Sequence, residues 1–174
     1  MIKENLIFQA YEIHDKKRKN NGPLWENTPY EKYEKAAAKT KGCYGELIVS
    51  NFISFIYNLI VEKADNPGHD RKVNNKKTEI KFSCATDRNF NFEFMFNHVG
   101  FEKDWERIIF CGVNGDLEEK IVWFTKEDLL KTKEEGFWAH QQGGKKSEND
   151  DWMCTGNNST KLLNHPLAKK MEEF

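Results

Sequence analysis

The sequence predicts a single domain of α/β (α+β) class, in which helices lead into a central mixed sheet of four to five strands flanked by helices. Three observations predict it. Apolar residues recur at helical spacing through the first 61 residues. Residues 89–97, Asn-Phe-Asn-Phe-Glu-Phe-Met-Phe-Asn, then alternate with a period of two, as a half-buried strand does. Two short apolar runs, Arg107–Val113 and Lys120–Phe124, follow on either side of the turn-forming Asn114-Gly115-Asp116. At 174 residues the chain has the size of one domain and can bury a real core.

Taken in order, Leu6, Ile7, Ala10, Tyr11 and Ile13 form a helical stripe over residues 3–19, stopped by Asn20-Asn21-Gly22-Pro23. A second helix, rich in Glu, Lys and Ala, spans Tyr30 to Lys39 and is punctuated by Gly42. Residues 43–61 are apolar around most of a helix circumference (Leu47, Ile48, Phe52, Ile53, Phe55, Ile56, Leu59, Ile60), so this helix should lie across the core with Glu46 in its first turn. A hairpin follows, then the alternating strand, the buried central strand Arg107–Val113 and the strand Lys120–Phe124. Thr125-Lys126-Glu127-Asp128 opens a short helix through Leu130. The pattern weakens after Gly136, and the tail closes with a helix near Leu167–Met171. The parts are thus a helical segment to about residue 61, a sheet core from about 68 to 130, and a loop-rich segment from 131 to 174.

Acids and bases nearly balance, with a formal charge of −1. That fits poorly with an acidic mimic of DNA, and it leaves DNA binding open if positive charge gathers around a cleft. Cys43, Cys84, Cys111 and Cys154 lack Cys-x-x-Cys spacing, so free thiols in a reducing cytoplasm are expected rather than a zinc site or disulfide framework. No apolar run approaches 18 residues and no secretory leader is evident, so a soluble, cytoplasmic protein without membrane contact is expected.

The chemistry concentrates in Gly68–Phe82. Adjacent asparagines, Asn74-Asn75, tolerate the positive φ angles of a two-residue hairpin turn. With that turn, Val73 faces Lys76, and counting outward sets Asp70 opposite Glu79. Opposed residues share a sheet face with Cβ atoms roughly 5 Å apart, where like charges repel unless something binds between them. Lys81 projects from the same face. Four acid-x-Lys triplets occur, at Asp15, Asp70, Glu79 and Glu118, as many as this composition yields by chance. The triplet at Glu79 differs in lying in a β-prone run (Thr78, Ile80, Phe82) with a second acid placed opposite. A divalent cation would relieve the repulsion, and two carboxylates with a lysine suit phosphodiester hydrolysis.

A helix carrying Glu46, a hairpin carrying Asp70 and Glu79-Ile80-Lys81, and two further apolar strands together resemble the PD-(D/E)XK nuclease superfamily, and within it type II restriction endonucleases. The resemblance covers roughly Glu46 to Leu130, and His69 stands where the motif's name has proline. It implies a restriction-endonuclease-like core and a magnesium-dependent DNA endonuclease, with manganese able to take magnesium's place. It further implies Asp70, Glu79 and the Ile80 backbone carbonyl as metal ligands, Lys81 orienting or deprotonating the attacking water, and Glu46 as the accessory acid. Double-stranded DNA is the implied partner, cut by a homodimer in which each subunit cleaves one strand.

Candidate DNA contacts are His140, Gln141, Gln142, Lys145, Lys146 and Asn149 in a polar, glycine-rich loop, since glutamine and asparagine pair with adenine and lysine with guanine. Asn89 and Asn91 form a second polar row, and Lys76-Lys77 a basic pair. His69 and the five tryptophans read as structural. Two competing functions remain: a structure-directed nuclease of Holliday-junction-resolvase or mismatch-nicking type, and a non-catalytic nucleic-acid-binding module on the same fold. The intact Asp70, Glu79 and Lys81 set argues against the second.

Overall fold

Two β-sheets pack on a shared core, and a long helix covers the far face of the larger one. The computed structural model describes residues 25–88, 91–141 and 151–174. Helix α1 (Glu31–Lys35) ends where Ala36 and Ala37 turn extended, and α2 (Ala38–Ile56) follows. Then come β1 (Val61–Lys63), β2 (Arg71–Val73), β3 (Lys76–Cys84), β4 (Thr86–Arg88), β5 (Asn91–Gly100), β6 (Arg107–Val113) and β7 (Glu119–Thr125). Helix α3 (Lys126–Glu134), β8 (Ala139–His140), β9 (Asp151–Gly156) and α4 (Asn157–Leu163) complete the fold, with a 3-10 turn at Met171–Glu173.

The larger sheet has the order β1-β2-β3-β6-β7. Its strands pair antiparallel except β3 with β6, which are parallel, so the sheet is mixed and the class is α/β as the sequence predicts. The smaller sheet, β4-β5-β9-β8, is antiparallel throughout. Phe94 and Phe96 of β5 pack with Phe110 and Phe124 of the larger sheet in one buried cluster. On the other face, Val49 and Ile53 of α2 pack against Ile80, Ile109 and Trp123.

Several expectations are corrected. The alternating strand joins the smaller sheet rather than the central one. A Cβ at Gly112 would lie 2.7 Å from the Phe94 ring, so β5 crosses β6 face to face, with aromatic rings filling the gap. The expected break at Gly42 is a continuous helix, because Gly45 lets α2 approach Phe82 closely and packing overrides glycine's weak helix propensity. That helix stops at Ile56 instead of reaching residue 61; Asn58 turns left-handed (φ 54°) and Val61 enters a strand. It is not buried all round either: Gly45, Val49, Ser50 and Ile53 face inward, whereas Phe55 is 87% exposed. Helix α3 runs to Glu134, capped by Thr125 Oγ1, which accepts the Asp128 N–H. The loop-rich tail supplies β8, β9 and α4, while the expected helix near Leu167–Met171 is reduced to a 3-10 turn at Met171–Glu173. Helix α4 has poor intrinsic propensity and is held by burial of Ser159, Leu162 and Leu163.

The helix expected over residues 3–19 and the candidates Asn89, Gln142, Lys145, Lys146 and Asn149 lie outside the described residues. Among the described residues no helix is long and apolar enough to cross a membrane, and all four cysteines are free, with Cys43 exposed.

Candidate active site

The hairpin forms as its turn residues dictate. Asn74 and Asn75 both adopt positive φ (48° and 62°), and the register pairs Val73 with Lys76, Lys72 with Lys77 and Arg71 with Thr78. Strand β2 then ends, whereas β3 continues beside β6 to Cys84. Beyond Thr78, therefore, β3 has no strand neighbour on the β2 side among the described residues. Asp70 fills the gap: its backbone N–H donates to the Thr78 carbonyl (3.1 Å) and its Oδ2 accepts the orphaned Ile80 N–H (2.8 Å). A carboxylate thereby sits where the next strand pair would have been.

Glu79 is 3% exposed, and its Oε1 lies 2.8 Å from Lys81 Nζ. Helix α2 brings Glu46 to the same place, with Oε2 3.4 Å from Arg71 Nη1. Arg71 Nη1 also donates to the Asp70 carbonyl at 2.6 Å, tying the helix to the hairpin. Three carboxylates and two cations thus meet at the open edge of β3. Burial, then the charge of Glu79, pushes the Asp70 carboxyl up from 3.8 to about 7; Lys81 and the Ile80 N–H pull the other way, and Glu46 adds to the rise. Burial also raises Glu46 above the usual range, with Glu79 adding to the rise and Arg71 and Lys81 opposing it.

Each of these carboxylates is turned onto a protein partner. Among the described residues no three His, Cys, Asp or Glu side chains stand at metal-ligand spacing. The donor type nonetheless suits a hard cation: oxygen atoms only, an excess of negative charge, and a second oxygen on Asp70 and on Glu79 outside the bonds just named.

Glu46, Ile80 and Lys81, though not Asp70 or Glu79, line a cleft of about 610 Å³ together with Lys39 and Lys41 of α2 and Asn97 and His98 of β5. Among the described residues, none of the predicted DNA contacts lines this cleft. Lys76 pairs with Glu106 (3.2 Å) and Lys77 with Asp104 (2.6 Å) as surface ion pairs. His140 stacks on Trp152, its ring centroid 3.8 Å away, with Nδ1 buried and unbonded. The Gln141 amide bonds to His98 rather than standing free. Asn91 lies on β5 opposite Arg88. His69 is buried, with Nε2 3.5 Å from Asp65 and neither ring nitrogen within a hydrogen bond.

Sequence reasoning missed Arg71 and His98. Alternation in β2 sets Arg71 on the face opposite Asp70, and no local signal links it to Glu46. His98 stood in an unremarked stretch after a strand. Neither a scan against protein-family models nor a search of curated proteins finds a match for this chain.

Proposed function

We propose that this chain is a magnesium-dependent endodeoxyribonuclease of type II restriction character, on a PD-(D/E)XK-like core, with manganese as an alternative metal. The observation that carries the reading is the meeting of Glu46, Asp70, Glu79 and Lys81, from three elements, at the unpaired edge of β3. An ion-pair lattice on an ordinary surface would be solvated, whereas Glu79 is buried and Asp70 resists ionisation. Double-stranded DNA is the substrate, and a homodimer in the reducing cytoplasm places one site on each strand.

Asp70, Glu79 and the Ile80 carbonyl would hold the metal. When bound, it polarises the phosphoryl oxygen, lowers the pKa of water and offsets charge in the transition state. The rest falls to the chain. Lys81 Nζ, held by Glu79, points a hydrogen bond at the attacking water or at a phosphate oxygen. Glu46, held by Arg71, takes up a proton or positions a second water. The cleft walls bearing Lys39 and Lys41 receive the polyanion.

Supercoiled and linear DNA of varied sequence, incubated with magnesium or with EDTA beside a Glu79→Ala variant, tests the reading. Discrete magnesium-dependent fragments that the variant does not make are the expected outcome. Cutting confined to branched DNA, or nicking alone, would favour a structure-directed nuclease. A folded chain that cleaves nothing but still binds DNA would be the non-catalytic module.

A further inference from the structure

Strand β5 carries a bulge at the cleft. Its pairing with β9 is regular from Phe94 to Phe96 and resumes at Val99 opposite Trp152, so Asn97 and His98 together stand opposite Met153. His98 takes a left-handed backbone, φ 55°. A non-glycine residue holds that conformation where its surroundings over-determine it, and such positions cluster at functional sites.

Two side chains hold it. Gln141 Oε1 accepts the His98 backbone N–H at 2.9 Å. That bond orients the amide, so Gln141 Nε2 donates to His98 Nε2 at 2.8 Å. The other ring nitrogen, Nδ1, lies 3.1 Å from Asp151 Oδ2. Nε2 is thereby the accepting nitrogen, and Nδ1 faces the Asp151 carboxylate. Yet the side chain is 64% exposed and lines the same cleft as Glu46 and Lys81. Contacts at an exposed side chain add little to stability; these fix a direction. The charged groups around the cleft are Lys39, Lys41 and Lys81, with Glu34 and Glu46; Lys41 is paired with Glu34 at 2.9 Å.

We propose that His98 contacts a backbone phosphate of the substrate strand, an inference that rests on the phosphodiesterase reading above. On binding, the ring takes a proton from water at Nε2, the Gln141 N–H is released, and Nε2–H donates to the phosphate oxygen. Asp151 balances the imidazolium, and Gln141 is a positioning residue for the free state. A neutral ring reading a base edge would instead discriminate sequence.

The test measures affinity for duplex oligonucleotides of several unrelated sequences, using the full chain with Glu79→Ala to suppress cleavage. Salt titrations are run at pH about 6 and about 8, on either side of the ordinary histidine range. His98→Asn removes the ring while tolerating the left-handed backbone. At the lower pH it should weaken binding to every sequence alike and reduce the slope of log affinity against log salt by about 1. At the higher pH the difference should vanish. Asp151→Asn, which retains His98, should act in the same direction, and it stands in if His98→Asn fails to fold. An unchanged slope at the lower pH overturns the proposal, and so does weakening confined to one sequence. If the parent binds no DNA, the nuclease reading itself fails; if it binds and the slope ignores both variants, this inference alone falls.

Discussion

Asp70 is the residue at which the proposed chemistry and stability conflict most directly. Its carboxyl is pushed from 3.8 to about 7 by burial and by Glu79, so between those values the folded chain holds a proton that the unfolded chain has released. The sign follows from linkage: the native state binds more protons, so stability falls as pH rises through that window. Asp70→Asn should therefore melt higher than the parent at pH about 8, by a stability of the order of 1–3 kcal/mol, and show little difference at pH about 4. Under the nuclease reading proposed above, magnesium-dependent cleavage should be lost as well. Thermal melts at the two pH values check this, and a variant destabilised at the higher pH would refute the repulsion argument. At this scale the sequence was informative where geometry is local. Asn74, Asn75, Glu79 and Lys81 stand where turn and pleat rules set them, whereas Asp70 leaves the ladder to cap the Ile80 N–H, and Arg71 and His98 acquire their places from distant partners.

Helix α2 decides how the element scale contributes. Gly45 faces Phe82, and a Cβ there would approach the Phe82 Cβ to 2.8 Å. The residue next to it, Glu46, owes its position to that close approach. Gly45→Ala would gain up to about 1 kcal/mol of helix propensity but lose about 1–3 kcal/mol to overpacking. We expect a net loss of stability in urea titrations and a larger proportional loss of cleavage, because Glu46 moves away from Arg71 and Asp70. A variant more stable and fully active would show that α2 has room to spare. The apolar run in this helix was a misleading guide to burial: Leu47, Phe55 and Ile56 remain exposed. Composition around a helix shows what it can cover, and the neighbouring sheet determines which stripe is covered.

At the scale of the molecule, the two sheets meet in a common core. Phe94, Phe96 and Cys154 of the smaller sheet share a buried cluster with Phe110, Val122 and Phe124 of the larger. Trp25 reaches the same cluster and donates its Nε1–H to the Ala85 carbonyl at 3.1 Å. The tail is locked separately, with Arg107 lying over the touching rings of Trp123 and Phe174 and its Nη1 donating to the Phe174 carbonyl at 3.1 Å. Unfolding followed by tryptophan fluorescence and by far-UV circular dichroism should therefore give coincident single transitions. Two separated transitions would mean that the sheets are independent domains.

The sequence by itself determined the class, the hairpin with its register from Val73–Lys76 to Arg71–Thr78, and the nearness of Asp70, Glu79 and Lys81. These depend on φ preferences and side-chain alternation, which act over a few residues. Short β1, β4, β8 and β9, the poorly propensed α4 and the division into two sheets were decided by tertiary structure. Such elements carry too little periodicity to declare themselves and exist because a neighbour supplies the pairing or the burial. The same cause separates the parts of the site. The acids of the hairpin were legible from turn geometry. Arg71's link between Glu46 and Asp70, and the bulge that aims His98 into the cleft, exist only once α2, β3, β5 and β9 have packed.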